Sequence, residues 1–182
     1  MKRISFLLCS LLLLTGCANS GTKSVNEDGA GTTASGKIPS TCELADVNAA
    51  FAKIIPPSKY IPTEWTPADG TDLYAVLNNG GIACTYGDPD AEVGGTVMWA
   101  PSGLWPEREK VWKSEGMETV DIPGIEESAA YKLPDGSTSA DGMPAWRVNL
   151  LINGVWIQLG AAFIQSFDEA TPIIQAAIDA SK

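Results

Sequence analysis

Few side chains in this sequence have a type and spacing that could do chemistry. Ser20-Gly21-Thr22-Lys23 has the Ser-x-x-Lys spacing of serine acylases, but no second motif of that set follows. Asp88, Asp90 and Glu92 alternate like the first ligands of a calcium loop. The glycine needed at the sixth position is Val93, and the bidentate glutamate needed at the twelfth is Trp99. Asp135 to Asp141 is a second acidic loop and lacks the same glycine and closing glutamate. Glu107, Glu109, Glu115, Glu118, Asp121, Glu126 and Glu127 could supply a carboxylate pair for glycoside hydrolysis, the one acid-base device among these that needs no imidazole. The chain contains no histidine, which removes the usual general base, the Ser-His and Cys-His nucleophile pairs and the commonest transition-metal ligand. No catalytic, cofactor-binding or metal-binding set results, and none is expected.

The elements that position these residues begin with an export signal. Lys2 and Arg3 precede a run over residues 4–14 that is apolar except for Ser5, Cys9 and Ser10. That run is too short to cross a bilayer core of about 30 Å as a helix. It ends in Leu14-Thr15-Gly16-Cys17, which resembles the lipobox of bacterial lipoproteins. The resemblance implies cleavage after residue 16 and a diacylglyceryl group on the Cys17 thiol, so that the lipid anchors the protein to the outer face of the cell membrane. Ala18, rather than an aspartate, follows the cysteine, so the inner-membrane retention signal of that family is missing.

Removing residues 1–16 takes away Lys2 and Arg3 and no acid, moving the formal charge from −10 to −12. A surface that acidic, with no basic run, repels nucleic acid and anionic headgroups. Of the four cysteines, Cys9 leaves with the signal and Cys17 carries lipid. Cys42 and Cys84 are then the remaining thiols in an oxidising compartment and are expected to pair. A redox-active pair would want a closer Cys-x-x-Cys spacing.

Residues 17–38 read as the lipidated cysteine and a flexible tether of Gly, Ser, Thr, Ala and Asn. About 20 such residues reach near 25 Å. One folded domain is expected over residues 39–182. A helix is expected from a Ser40/Glu43 capping box, with Cys42 in its first turn and Leu44, Val47, Phe51, Ile54 and Ile55 on one face, stopping at Pro56-Pro57. Residues 73–77 and 82–86 read as strands around Asn78-Asn79-Gly80-Gly81, and 96–100, 119–123 and 129–133 as further strands. Pro106 starts a second helix running to Ser114. Residues 145–152 and 155–161 flank Asn153-Gly154 as a primed-turn hairpin. Its register sets Trp146, Val148, Leu150 and Ile152 opposite Ala161, Leu159, Ile157 and Val155 on a core face, and leaves Arg147, Asn149, Gln158 and Gly160 on a partly wet face. A last helix carries Ala170, Ile173, Ile174, Ala177 and Ile178, capped either by Ser166 with Glu169 or by Thr171 before Pro172. The fold class is α+β: an antiparallel sheet flanked by about three helices, stapled by one disulfide.

Cys42-Glu43-Leu44, Cys84-Thr85-Tyr86, the Pro-Gly-Ile-x-x-x-Ala-Ala-Tyr segment from Pro123 to Tyr131, and the closing hairpin and helix resemble small actinobacterial lipoproteins of unknown function. That resemblance implies a PsbP-like sandwich, as in the extracellular sensor domain of PknH-type kinases, together with an envelope location and the disulfide. The expected role is a noncatalytic binding or interaction module whose partner is an envelope protein or cell-wall component. A small-ligand, glycan or lipid carrier is the alternative, suggested by six tryptophans, of which Trp65, Trp105 and Trp156 fall in loops, helix starts or the wet hairpin face. A carboxylate-dependent hydrolase is the third class.

Overall fold

Asn153 and Gly154 both adopt positive φ, 50° and 77°, the backbone a two-residue primed turn demands. The strands it joins, β6 (Trp146–Ile152) and β7 (Val155–Ala161), pair in the expected register from Trp146↔Ala161 to Ile152↔Val155. A computed structural model describes residues 36–139 and 142–182 of the chain. Cys17, the Ser20–Lys23 motif, Asp141 and most of the expected tether lie outside the described residues.

The hairpin sits inside a seven-stranded antiparallel sheet of order β1-β2-β3-β7-β6-β5-β4. The other strands are β1 (Lys59–Ile61), β2 (Ile82–Asp88), β3 (Val93–Pro101), β4 (Glu118–Thr119) and β5 (Ala129–Lys132). Among the described residues four α-helices cover it: α1 (Ala45–Ala52), α2 (Asp72–Asn78), α3 (Trp105–Ser114) and α4 (Phe167–Asp179). This is the expected α+β architecture, with one helix more than the pattern of the sequence suggests.

Strand pleating sends alternate residues to opposite faces. One face presents Cys84, Tyr86, Val97, Trp99, Val148, Leu150, Ile157 and Leu159 to α1 and α4. Helix α4 buries Ala170, Ile173, Ile174, Ala177 and Ile178 there, and the Trp99 indole donates to Ala177 O at 2.9 Å. Burial of each full-sized aliphatic side chain contributes about 1.5–3 kcal/mol. Of the two expected caps for α4, Ser166 is the one used: its hydroxyl accepts from Glu169 N at 3.4 Å, while Glu169 reaches back to Gln165 N.

The opposite face presents Ala83, Met98, Ala100, Tyr131 and Trp156 to α2 and α3, forming a second core around Val76, Trp105 and Trp112. Here the structure corrects three expectations. Residues 73–77 form helix α2 and not a strand. Leu73, Val76 and Leu77 recur at helical spacing toward this core, and the Thr71 hydroxyl caps the helix by accepting from Tyr74 N at 3.1 Å. Asn78 to Gly81 accordingly closes a helix, with Gly81 N donating to Val76 O at 2.9 Å. The wet part of the hairpin face is confined to Arg147 and Gly160, because the Asn149 and Gln158 side chains are buried beneath the α2 and α3 layer. Residues 119–123 contribute only Thr119 to a strand.

Helix α1 begins at Ala45 after Leu44, which makes no side-chain cap. The expected capping box is not formed, since Glu43 N bonds instead to Thr41 Oγ1 at 3.2 Å. Cys42 therefore precedes the helix. Its disulfide to Cys84 spans 5.3 Å between Cα atoms and closes a loop with a sequence separation of 42. The Tyr86 hydroxyl donates to Cys42 O at 2.8 Å, so a bridge and a hydrogen bond fix the approach to α1 on neighbouring positions of β2. Burial, and after it the neighbouring Tyr60, pushes the Tyr86 phenol well above its ordinary value and keeps it a donor. Gly36 and Lys37, before the expected domain start, are already tied in: Gly36 N donates to Asn153 O at 2.7 Å and Lys37 N to Ser181 O at 2.6 Å.

Replacing both Cys42 and Cys84 by serine should lower unfolding free energy by about 4 kcal/mol, the entropy of a loop this long. Urea denaturation of the variant beside the oxidised parent checks this, and reductant should lower the parent alone.

Candidate functional site

Asp72 opens α2 and is 6% exposed, which is costly for a carboxylate unless donors meet it. They do. Arg108, on the inward side of α3, donates from Nε to Asp72 Oδ1 at 2.7 Å and brings Nη2 to 2.5 Å from the same oxygen. The Trp112 indole, one helical turn on, reaches Asp72 Oδ2 at 2.9 Å. Gln158, from β7, donates to Asp72 Oδ2 at 2.6 Å and to Asn149 Oδ1 at 2.7 Å. Asn149 also accepts the Trp156 indole at 3.0 Å, and Arg108 Nη1 is taken up by Gly70 O at 2.9 Å. This closed network stitches α2, α3, β6 and β7 together.

The next row outward on the same face is different. Strand register sets Arg147 opposite Gly160, Gly160 opposite Thr96, and Thr96 opposite Thr85. All four are only partly buried, because α2 and α3 cover the half of the face nearer the Asn153-Gly154 turn and stop short of this end. Arg147 stands 3.8 Å from Asp72 Oδ2 through Nη1 and 2.8 Å from Glu115 Oε2 through Nη2. Two carboxylates thus balance its charge, and Nη1 donates no hydrogen bond among the described residues. Here a groove of about 640 Å³ opens at the free end of the β6–β7 hairpin, bounded by Leu133, Met143, Pro144, Arg147, Gly160 and Ala162. A smaller recess of about 310 Å³ adjoins it around Asp135, Ser137, Trp146 and Gln165.

The residues singled out for chemistry fall elsewhere. Asp88, Asp90 and Glu92 build the β2–β3 turn: Asp88 Oδ1 accepts from Asp90 N at 3.0 Å, and Glu92 adopts a φ of 54°. Among the described residues no three Asp, Glu or Cys side chains group closely enough to hold a metal ion. Asp135 pairs with Lys132. Of the seven carboxylates considered for hydrolysis, Glu109 accepts from Lys113 at 2.8 Å and from the Tyr131 hydroxyl, Glu115 pairs with Arg147, and Glu127 accepts Ile122 N at 3.0 Å.

Trp105 and Trp156 are not platforms for a ligand. Both are buried in the second core: Trp105 packs edge-on against Trp112 with ring centroids 4.9 Å apart, and Trp156 lies 5.2 Å from the same ring. Trp65 is half-buried and spends its indole N–H on Ala83 O at 3.2 Å. Asp72 escaped the sequence reading altogether. The signal that could have found it is the polar pair Asn149 and Gln158, directly opposite each other in the middle of an otherwise apolar hairpin.

Comparison with known proteins finds no matching family, no similar curated protein and no similar solved structure.

Asp72→Asn should destabilise the fold by about 3–5 kcal/mol, because it leaves the Arg108 guanidinium buried without its counter-charge. Chemical denaturation measures this, and a loss below about 1 kcal/mol would show that the network is not what fixes this layer. Acid stability tests a second pair. The Glu109 carboxyl lies below its ordinary value, held there first by the hydrogen bond from Lys113 and then by that from Tyr131. With the folded value below the unfolded one, its contribution is full at neutral pH and is lost as pH falls through the folded value. Glu109→Gln should flatten that acid limb in a denaturation series run from neutral into acid.

Proposed function

We propose that this chain is an exported lipoprotein, anchored by lipid on Cys17 to the outer face of the cell membrane, whose domain binds an envelope protein or cell-wall component without transforming it. The observation that carries the binding role is the groove at the uncovered half of the sheet. The acids nearest its one cation, Asp72 and Glu115, are committed to ion pairs, so the groove presents shape and hydrogen-bond donors and not a poised acid-base couple. The Cys42–Cys84 bridge supports export, since structural disulfides persist in oxidising compartments. No described helix is long and apolar enough to cross a membrane, so the membrane attachment in this reading rests on the lipid at Cys17.

The test is intact-mass and crosslinking mass spectrometry on protein extracted from its native membrane. The expected result is diacylglyceryl on Cys17 and a reproducible crosslink from the groove rim to one envelope component. Unmodified Cys17 overturns the anchor, and a groove without crosslinks in intact envelopes overturns the binding role.

A further inference from the structure

Glycine inside a strand weakens it, through lost backbone entropy and a missing side chain, so each one calls for a reason. For three of the four strand glycines the reason is internal. A Cβ on Gly87 would run into Val93 O, one on Gly94 would come within 2.9 Å of Tyr86 O, and one on Gly95 within 2.8 Å of the Phe51 ring. Gly160 has no such neighbour: a Cβ there would meet nothing within 4 Å, and its φ lies outside the left-handed region. The fold does not require a bare backbone at this position, yet it is bare, and it forms the floor of the largest groove described above. A glycine of this kind marks close approach by something outside the chain.

The surroundings define what approaches. Arg147 beside Gly160 has its charge balanced by Asp72 and Glu115, while Nη1 keeps free hydrogen-bonding capacity. The half-buried Thr96 hydroxyl, on the other side of Gly160, makes no hydrogen bond among the described residues. In a chain of formal charge −10 this favours an uncharged group rich in hydroxyl or carbonyl oxygen over an anion. The rim adds apolar surface from Leu133, Pro144 and Met143, the last 56% exposed, which suits the C–H faces of a sugar ring. A peptide adding as a β-strand needs an unpaired edge. Here β6, β7 and β3 are all interior strands.

Position argues the same way. The chain enters the domain at Gly36, bonded to the Asn153 turn, whereas the groove opens at the other end of the same hairpin. Six residues of strand separate the two, about 20 Å. We propose that the groove over Gly160 binds a neutral polysaccharide of the cell wall, with the sugar seated on the Gly160 backbone between Arg147 and Thr96. This rests on the anchored-module reading, in which the tethered domain lies between the bilayer and the wall.

The experiment uses the full lipidated protein in detergent. It is sedimented with the protein-free neutral polysaccharide of the producing bacterium's wall, with the acidic wall polymers separated by anion exchange, and with vesicles of phosphatidylethanolamine and phosphatidylglycerol. Binding to the neutral fraction is expected. Gly160→Leu, whose Cβ would meet no neighbour within 4 Å and whose side chain would project into the groove, should weaken it more than about tenfold with an unchanged unfolding midpoint. Thr96→Val should weaken it roughly three- to tenfold by deleting one hydrogen bond, and it decides the matter if the leucine variant does not fold. Tyr74→Ala, on an exposed part of α2, should bind as the parent does. Preference for the acidic fraction or for vesicles, or full binding by both groove variants, overturns the proposal. The mass of Cys17, read from the same preparation, separates this from failure of the anchor: lipidated protein that ignores the neutral fraction sinks the ligand alone.

Discussion

A carboxylate with almost no access to water is the constraint on which half of this structure depends. Helices α2 and α3 are short, and α3, Trp-Pro-Glu-Arg-Glu-Lys-Val-Trp-Lys-Ser, is mostly polar. An amphipathic stripe of Trp105, Trp112 and Val76 gives them area to bury but little to set their angle or register. Asp72 supplies that. It draws Arg108 and Trp112 from one side and Gln158 from the sheet, and each donor has one acceptable place. Burying such a group yields little net stability against an apolar substitute, so its consequence here is arrangement: α3 sits where its arginine can reach.

The two faces of the sheet are held by different physics. Under α1 and α4 the contact is nearly all apolar, and direction comes from the Cys42–Cys84 bridge, the Tyr86 hydroxyl and the indole of Trp99. Apolar burial is additive and tolerant, so this layer can extend the full length of the strands. Under α2 and α3 the cover stops where the polar network stops. The strand row just beyond it, Arg147 to Thr85, keeps partial contact with water because only the helix ends reach it, through Asp72 and Glu115 at Arg147. The groove is a by-product of a layer organised around one point rather than along a stripe.

This division explains which features could be read from the sequence. The β6–β7 hairpin was fully visible, because alternation, Asn-Gly and the tight turn are local facts that agree with one another. Helix α4 was visible for the same reason, through its apolar spacing and the Ser166 cap. Residues 73–77 misled because Leu-Tyr-Ala-Val-Leu satisfies a strand as readily as a helix over so few positions, and the decision came from Thr71 and the distant Arg108. Asn149 and Gln158 misled because polarity ordinarily marks exposure. Their burial depends on a carboxylate that is 86 residues from Gln158, and no local pattern records that. Arg147 and Gly160 were correctly placed on a partly wet face, so the groove's floor was half readable. That it was a floor at all became apparent only once the extent of α2 and α3 was known.

The hairpin also relates the two ends of the molecule. Its turn receives the incoming chain through Gly36, and its free end carries the groove, so a single two-stranded element joins the chain's entry point to the groove. Interior strands suit that task. β7 is paired along its whole length with both β3 and β6, so neither end can fray or swing without breaking a ladder on each side. Gly160 and Arg147 lie in the central ladder, and the rest of the boundary, from Leu133, Met143, Pro144 and Ala162, belongs to the loops around it. A floor held by a ladder on each side keeps its shape without a ligand, which lowers the ordering cost of any contact made there.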